Sequence, residues 1–292
     1  MEPNRPSTTP TLFQDRSVFA ADYVPEPAPS RMAMMDQLAF NLRSGMVGAT
    51  PSHVICSGPP GTGKTACVRA LFAEIEEMTD RFIPVYVDCR IDRTLYAIHS
   101  RVFARLAGRP PADDMEEWDV TRAVAEMMRE RKAVLVVCLD DIACIGSRSE
   151  VNLALATLLR MYESYPGTKI GVVAIVNDLR YHLAADVDRS VFSVFHPTEI
   201  FFPPLYVKEI RGILRDRVRQ GLAPRAVPVK VLEMVVERVR EHGDIRVGLD
   251  LLQRAATLAE QDGRRRVTAE DVCTACESSV IDPRLRVIRA PA

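Results

Sequence analysis

The chain has no apolar run near the roughly 18 residues needed to cross a bilayer, and its first 30 residues lack the apolar stretch of a secretion signal. These absences predict a cytoplasmic protein without a membrane partner. Lysine is scarce, five of the 38 basic residues, and 39 acidic residues leave a net charge of −1. A chain so balanced is not coated with positive charge for gripping nucleic acid. The seven cysteines form no disulfide framework. Cys56, Cys138 and Cys144 lie in or beside apolar runs, where a thiol acts as a small buried hydrophobe, and Cys273 and Cys276 form a lone CxxC in a helical stretch without a second pair. No internal repeat is present.

What is present is the composition of a globular protein: 292 residues, 47% apolar and 26% charged, enough for one large domain or two unequal ones. Charge is uneven along the chain, with 21 basic and 26 acidic residues up to position 204 and 17 and 13 beyond it. Residues 1–30 are proline-rich and nearly aperiodic, an irregular arm that could still wrap onto a site. After the helical pattern RMAMMDQLAFNLRSGM, apolar runs at 53–58, 82–89, 133–141, 169–177 and 199–204 alternate with amphipathic stretches of crossover length. Buried strands joined by helices predict an α/β fold with a doubly wound, parallel, five-stranded sheet over residues 31–204. The acidic segment GRPPADDMEEWD reads as a loop or small insertion. From 205 to 281 four helical patterns follow, two ending in glycine and the last opening on a Thr268–Asp271 capping pair, so an all-helical domain is expected there, with a tail over 282–292.

The strongest motif is GPPGTGKT, residues 58–65, lying between a strand run and a helical run. Gly58, Gly61 and Gly63 let the backbone curl so that successive N–H groups converge, and the helix that follows points its positive end the same way. Such a cradle, built by Gly58, Pro59, Pro60, Gly61, Thr62, Gly63, Lys64, Thr65 and Ala66, suits the phosphates of ATP or ADP. Lys64 is expected as an exposed ligand of the β/γ-phosphates and Thr65 as a hydroxyl for Mg2+. A magnesium site needs a carboxylate at the end of a neighbouring strand, and VLVVCLDD supplies Asp140. Asp141 stands where many such ATPases carry Glu to orient the attacking water; one methylene shorter, it predicts slow hydrolysis. Asn177 ends the fourth run, at the strand edge where ligands sit in open α/β sheets, and is a candidate γ-phosphate sensor.

GPPGTGKT, LDD, Asn177 and the helical-region string GDIRVGLDLLQRAA together resemble AAA+ ATPases of the archaeal origin-recognition and cell-division-cycle initiator type. The likeness takes in DYVPEPAPSR, VDCR, TLLRMYESYPGTKIGVVAIVND, FHPTEIFFPP and VTAEDV, about residues 17–280. It implies that 31–204 is a nucleotide-binding AAA+ base and 205–281 a helical lid. It also implies that Tyr23, Val24 and Arg31 border the base, that Arg217 contacts nucleotide, and that Arg246 senses the γ-phosphate from the lid. The family's Phe-Pro-Pro-Tyr reads FPPLY here, so Leu205 takes the aromatic's place and Tyr206 follows, while Ser190 aligns with the family's finger arginine and Arg189 precedes it.

Relatives usually continue into a winged-helix domain, whereas this sequence stops after DPRLRVIRAPA. DNA contact is therefore expected to be weak and salt-sensitive, through Arg264, Arg265 and Arg266 with Arg284, Arg286 and Arg289. The resemblance implies a slowly hydrolysing, ATP-binding switch in replication initiation. Its partners would be origin or other duplex DNA, homologous initiator subunits or the replicative helicase. Two other readings are a near-static nucleotide-bound module that regulates a full-length initiator, and a clamp-loader-like ATPase.

Overall fold

All five apolar runs become strands: β1 (Val54–Ser57), β2 (Phe82–Asp88), β3 (Val134–Asp140), β4 (Ile170–Val176) and β5 (Thr198–Phe201). They pair in parallel, as the alternation of strand-like and helical runs predicts, and their order in the sheet is β2-β3-β4-β1-β5. The coordinates are a computed structural model describing residues 12–20, Tyr23 and residues 28–277.

Because side chains alternate across a strand, each strand supplies two cores. Ile83, Val85, Leu135, Val137, Val172 and Ala174 pack under α3 (Leu95–Ala107), α4 (Glu117–Arg131) and α5 (Arg148–Leu159). On the other face Val54, Cys56, Val134, Val136, Val173 and Ile175 pack under α1 (Met32–Met46) and α2 (Lys64–Met78). Of β5 only Ile200 is buried, as suits an edge strand.

Three local features depart from the sequence pattern. The run EVNLALATLLRMYESY is not one helix: it breaks at Arg160 between α5 and α6 (Met161–Ser164), and the Arg160 side chain donates to the Ser190 carbonyl at 2.5 Å. Helices α7 (Leu183–Asp186) and α8 (Arg189–Phe195) are too short to show a helical period, yet seat Leu183, Val191 and Phe195 in the sheet core. Arg189 is exposed in the first turn of α8.

Contacts divide the chain into two compact units, one running Glu26–Pro204 and the other joining the segment up to Pro25 to the residues from Leu205 onward. The second is helical: α9 (Val207–Gly221), α10 (Val229–His242), α11 (Ile245–Gln261) and α12 (Ala269–Glu277). Gly243 takes φ 74° to end α10, and Thr268 and Asp271 exchange the bonds of the expected capping pair at 2.7 and 3.3 Å.

Residues 12–20 and Tyr23 of the N-terminal arm belong to this helical unit. Leu12, Phe13, Val18 and Phe19 are buried among Leu222, Leu214 and the α11 side chains. Leu12 accepts from Ala223 N–H at 2.9 Å, and its own N–H donates to Glu260 Oε1 at 2.9 Å. No described helix is long and apolar enough to cross a membrane.

Two histidines, His99 buried and His53 half-buried, make the sheet unit acid-sensitive. His53 Nδ1 accepts the Val172 N–H at 3.1 Å, and His99 Nδ1 lies 2.9 Å from Thr121 Oγ1 while its Nε2 has no partner. Burial pulls both down from 6.5 to about 4. Both rings thus stay neutral in the folded chain while the unfolded chain takes up protons below pH 6.5. Stability is complete above that pH, falls as pH drops toward 4, and by pH 5.5 should be lower than at pH 7 by roughly 1 kcal/mol per histidine. Urea midpoints at the two pH values measure this, and the drop should be smaller in His99→Leu.

Candidate functional site

Residues 58–66 turn between β1 and α2. Gly58, Gly61 and Gly63 have φ of 146°, 72° and 95°, conformations that favour glycine. A Cβ on Gly58 would also run into the carbonyl oxygen of Phe202. Gly63 opens the fifteen-residue α2 with no side-chain cap and no acidic residue in the first turn. The helix thus offers backbone N–H groups that no side chain caps.

Lys64 departs from expectation. It is 3% exposed, with Nζ donating to the carbonyls of Gly58 at 2.6 Å and Pro59 at 2.7 Å. The ammonium thus crosses the mouth of its own loop, because the curl that converges N–H groups also turns these carbonyls to where a lysine from the first helical turn can reach them. Thr62 is buried and its hydroxyl donates to Pro59 O at 2.9 Å. Pro60 is exposed and Ala66 half-buried.

Thr65 Oγ1 donates to Asp140 Oδ2 at 2.7 Å, and the Tyr86 hydroxyl donates to the same oxygen at 2.5 Å. Asp140 Oδ1 is buried without a hydrogen-bond partner. Burial raises the carboxyl above the usual carboxylate range, against the pull of these two donors. Asp141 follows at φ 56°, accepts from Asn177 Nδ2 on Oδ1, and has Oδ2 3.7 Å from Arg90 Nε. Arg90 is itself held by both oxygens of Asp88, at 2.9 and 2.7 Å.

Arg31 is 3% exposed, with Nε donating to Thr62 O at 2.9 Å and Nη2 to Pro203 O at 2.8 Å. These bonds tie the glycine-rich turn to the last residues of the sheet unit, a structural job that the reading of Arg31 as a base contact did not include. The sheet unit therefore gathers Arg31, residues 58–66, Asp140, Asp141 and Asn177.

The remaining candidates lie in the helical unit or outside the described residues. The Arg217 guanidinium is buried 4.5 Å over the Tyr23 ring with Nε unpartnered, and the Tyr23 hydroxyl donates to Gln220 at 3.1 Å. Tyr206 caps α9 and is 74% exposed. Arg246 opens α11 and bonds Asp244, Nη2 to Oδ2 at 2.6 Å. Val24 and the tail arginines Arg284, Arg286 and Arg289 lie outside the described residues. Arg264 is committed to Asp262 and Asp271 at 2.7 and 2.6 Å, so it bridges a helix cap instead of standing ready for a phosphate; Arg265 and Arg266 are exposed.

Tyr86, Arg69 and Arg90 were missed. Tyr86 stands two residues before the end of β2, on the face that carries Asp140, and Arg69 lies 4.1 Å over its ring. A phenol in the apolar run FIPVYVD was the available signal; the register that sets it diagonal to Asp140 was not in the sequence.

The AAA-domain family model matches residues 48–180, and the model of the Cdc6 AAA+ ATPase-type lid domain matches 211–277. An ORC1-type DNA replication protein 2 from Methanosarcina mazei is 40% identical over 92% of this chain and 72% of its own length. The chain belongs to the ORC1-type DNA replication proteins. ORC1-type DNA replication protein 6 of Halobacterium salinarum is also 40% identical, over 90% of this chain and 70% of its own. Among solved structures the Aeropyrum pernix ORC1 protein in complex with DNA superposes with a TM-score of 0.79 at 28% identity, covering 90% of this chain and 69% of that one. Cdc6p from Pyrobaculum aerophilum gives 0.78 at 26%, covering 93% and 73%. Membership of the ORC1-type AAA+ family implies nucleotide binding, and the two-part architecture is the family's own. Among the described residues no three His, Cys, Asp or Glu side chains group to hold a metal by themselves.

Proposed function

We propose that the chain is a nucleotide-dependent switch of replication initiation. It binds ATP or ADP with Mg2+, hydrolyses ATP slowly, and in its ATP form engages duplex DNA alongside homologous initiator subunits or the replicative helicase in the cytoplasm. The observation that carries this reading is the Thr65–Asp140 pair at 2.7 Å beside a glycine-rich turn, with Asp140 Oδ1 buried and unpartnered. A lone carboxylate and a hydroxyl do not make a cation site by themselves, but they complete one whose other ligands are phosphate oxygens and water.

In this reading the backbone of Gly58 to Ala66 wraps the phosphates, and Lys64 exchanges its loop carbonyls for phosphate oxygens. Thr65 and Asp140 hold the metal. Bound Mg2+ supplies neutralisation of phosphate charge. Arg31 keeps the turn in shape through the Thr62 carbonyl. Asn177 and Asp141 serve the γ-phosphate and the attacking water. Both Asp141 oxygens have neighbours, Asn177 and Arg90, which supports slow turnover. The same engagement favours the second reading, a near-static module that regulates a full-length initiator.

Filter binding of an origin duplex with ATP and with ADP tests the switch. Affinity should differ at least about fivefold between the two nucleotides, the lower end of ordinary coupling energies. Equal affinity overturns the switch, and ATP recovered unhydrolysed after hours on the protein selects the near-static module.

A further inference from the structure

We propose that Tyr86 is a positioning residue for the metal-side carboxylate, making the two oxygens of Asp140 unequal so that only Oδ1 is left for Mg2+. The proposal rests on the nucleotide and magnesium reading above.

The geometry is a closed circuit of four side chains. Thr65 and Arg69 are four residues apart on α2 and therefore share one face of the helix. Thr65 Oγ1 donates to Asp140 Oδ2 at 2.7 Å, the Tyr86 hydroxyl donates to that oxygen at 2.5 Å, and the Arg69 guanidinium lies 4.1 Å over the Tyr86 ring. A carboxylate oxygen has two lone-pair positions, so two donors fill Oδ2. Oδ1 is buried with no hydrogen-bond partner.

Either donor alone would leave the carboxylate free to turn about its last bond. Two donors converging from different elements, β2 and α2, fix that rotation. A buried acceptor left bare is costly, on the order of 1–3 kcal/mol, and persists when something else is meant to satisfy it. The strand register explains the placement: Tyr86 lies opposite Cys138, which puts it diagonal to Asp140 on the face that carries α2. The ring also fills space beside the apolar core of that face, so its body packs while its hydroxyl orients.

Tyr86→Phe removes one oxygen atom and keeps the ring under Arg69. Binding of a fluorescent ADP analogue is titrated in EDTA and at rising MgCl2, for wild type and variant, with melting curves alongside. Loss of a group that orients a metal ligand typically weakens metal affinity by ten- to a hundredfold. The Mg2+ concentration at half effect should therefore rise about tenfold in Tyr86→Phe, while affinity in EDTA stays at the wild-type value. An unchanged Mg2+ midpoint overturns the proposal. So does an equal loss of affinity with and without Mg2+, which would make Tyr86 a prop of the loop. A wild-type chain that binds nucleotide identically with and without Mg2+ overturns the metal reading itself, and Tyr86's role with it. Tyr86→Leu separates ring from hydroxyl: it should show the same Mg2+ shift plus a lowered melting temperature.

Discussion

Lys64→Ala should weaken nucleotide binding by at least about a hundredfold while the chain stays folded. The ammonium is the one cation of the glycine-rich turn, and a charged bond to phosphate in a partly desolvated site is among the strongest single contacts a protein makes. Two tenfold steps correspond to about 2.7 kcal/mol. Burial alone would make Lys64 a structural residue whose loss unfolds the turn. Its hydrogen bonds, however, run to the carbonyls of Gly58 and Pro59 at 2.6 and 2.7 Å, and bonds of this kind contribute on the order of 1–3 kcal/mol. The glycine conformations that shape the turn and the Arg31 bond to Thr62 O survive the substitution. Calorimetry with ADP and ATP reads the effect, and circular dichroism confirms the fold. An affinity within about threefold of wild type would remove the phosphate role from Lys64 and from the turn.

Phe19→Ala should cost about 3–5 kcal/mol in the helical unit, the range for emptying a buried aromatic site. Phe19 is 5% exposed, meets Phe13 edge-on at 6.2 Å between centroids, and lies against Gly221 at the end of α9. A Cβ on Gly221 would collide with the Phe19 ring, the Val18 side chain and the Asp15 carbonyl, so the glycine is there because the N-terminal segment crosses over it. That makes a size-swap cycle available. Gly221→Ala alone should destabilise by about 1–3 kcal/mol through overpacking. In the double variant the removed ring makes room for the added methyl, and the two costs should sum to less than their separate values. Thermal unfolding followed by calorimetry measures both. Strict additivity would mean the two residues do not touch, and the N-terminal segment would not be part of this core.

These two sites also mark where the sequence was legible and where it was not. The strands β1, β3 and β4 announce themselves because each is an apolar run rich in Val, Ile, Leu or Cys and buried on both faces, and GPPGTGKT because its spacing answers to one chemistry. Asp140, Asp141 and Asn177 followed from strand ends, and the sheet brings the last two into a hydrogen bond. What local pattern cannot carry is pairing at long range. The segment from Leu12 to Phe19 has no period, and its partners stand more than 200 positions away, Leu222 and Glu260 among them. It reads as a loose arm, and only the tertiary fold shows that it completes a core. Tyr86 was hidden for a related reason: alternation places it on a face, but its distance from Asp140 depends on register. The burial of Lys64 turned on which carbonyls the curled loop leaves within reach, a detail below the level of any motif.

The pairing of Leu12 with Glu260 and of Phe13 with Leu222 also sets a schedule for biosynthesis. Translation runs at about 5–20 residues per second, so roughly ten to fifty seconds separate the emergence of Phe19 from that of α11 and α12. The sheet unit, whose residues are all made in between, can close during that interval. The segment carrying Leu12, Phe13, Val18 and Phe19 must meanwhile wait in water with these side chains uncovered. The helical unit, made in part before the sheet unit, is therefore completed after it, and the waiting segment stays open to chaperones and to the neighbouring chains of a polysome.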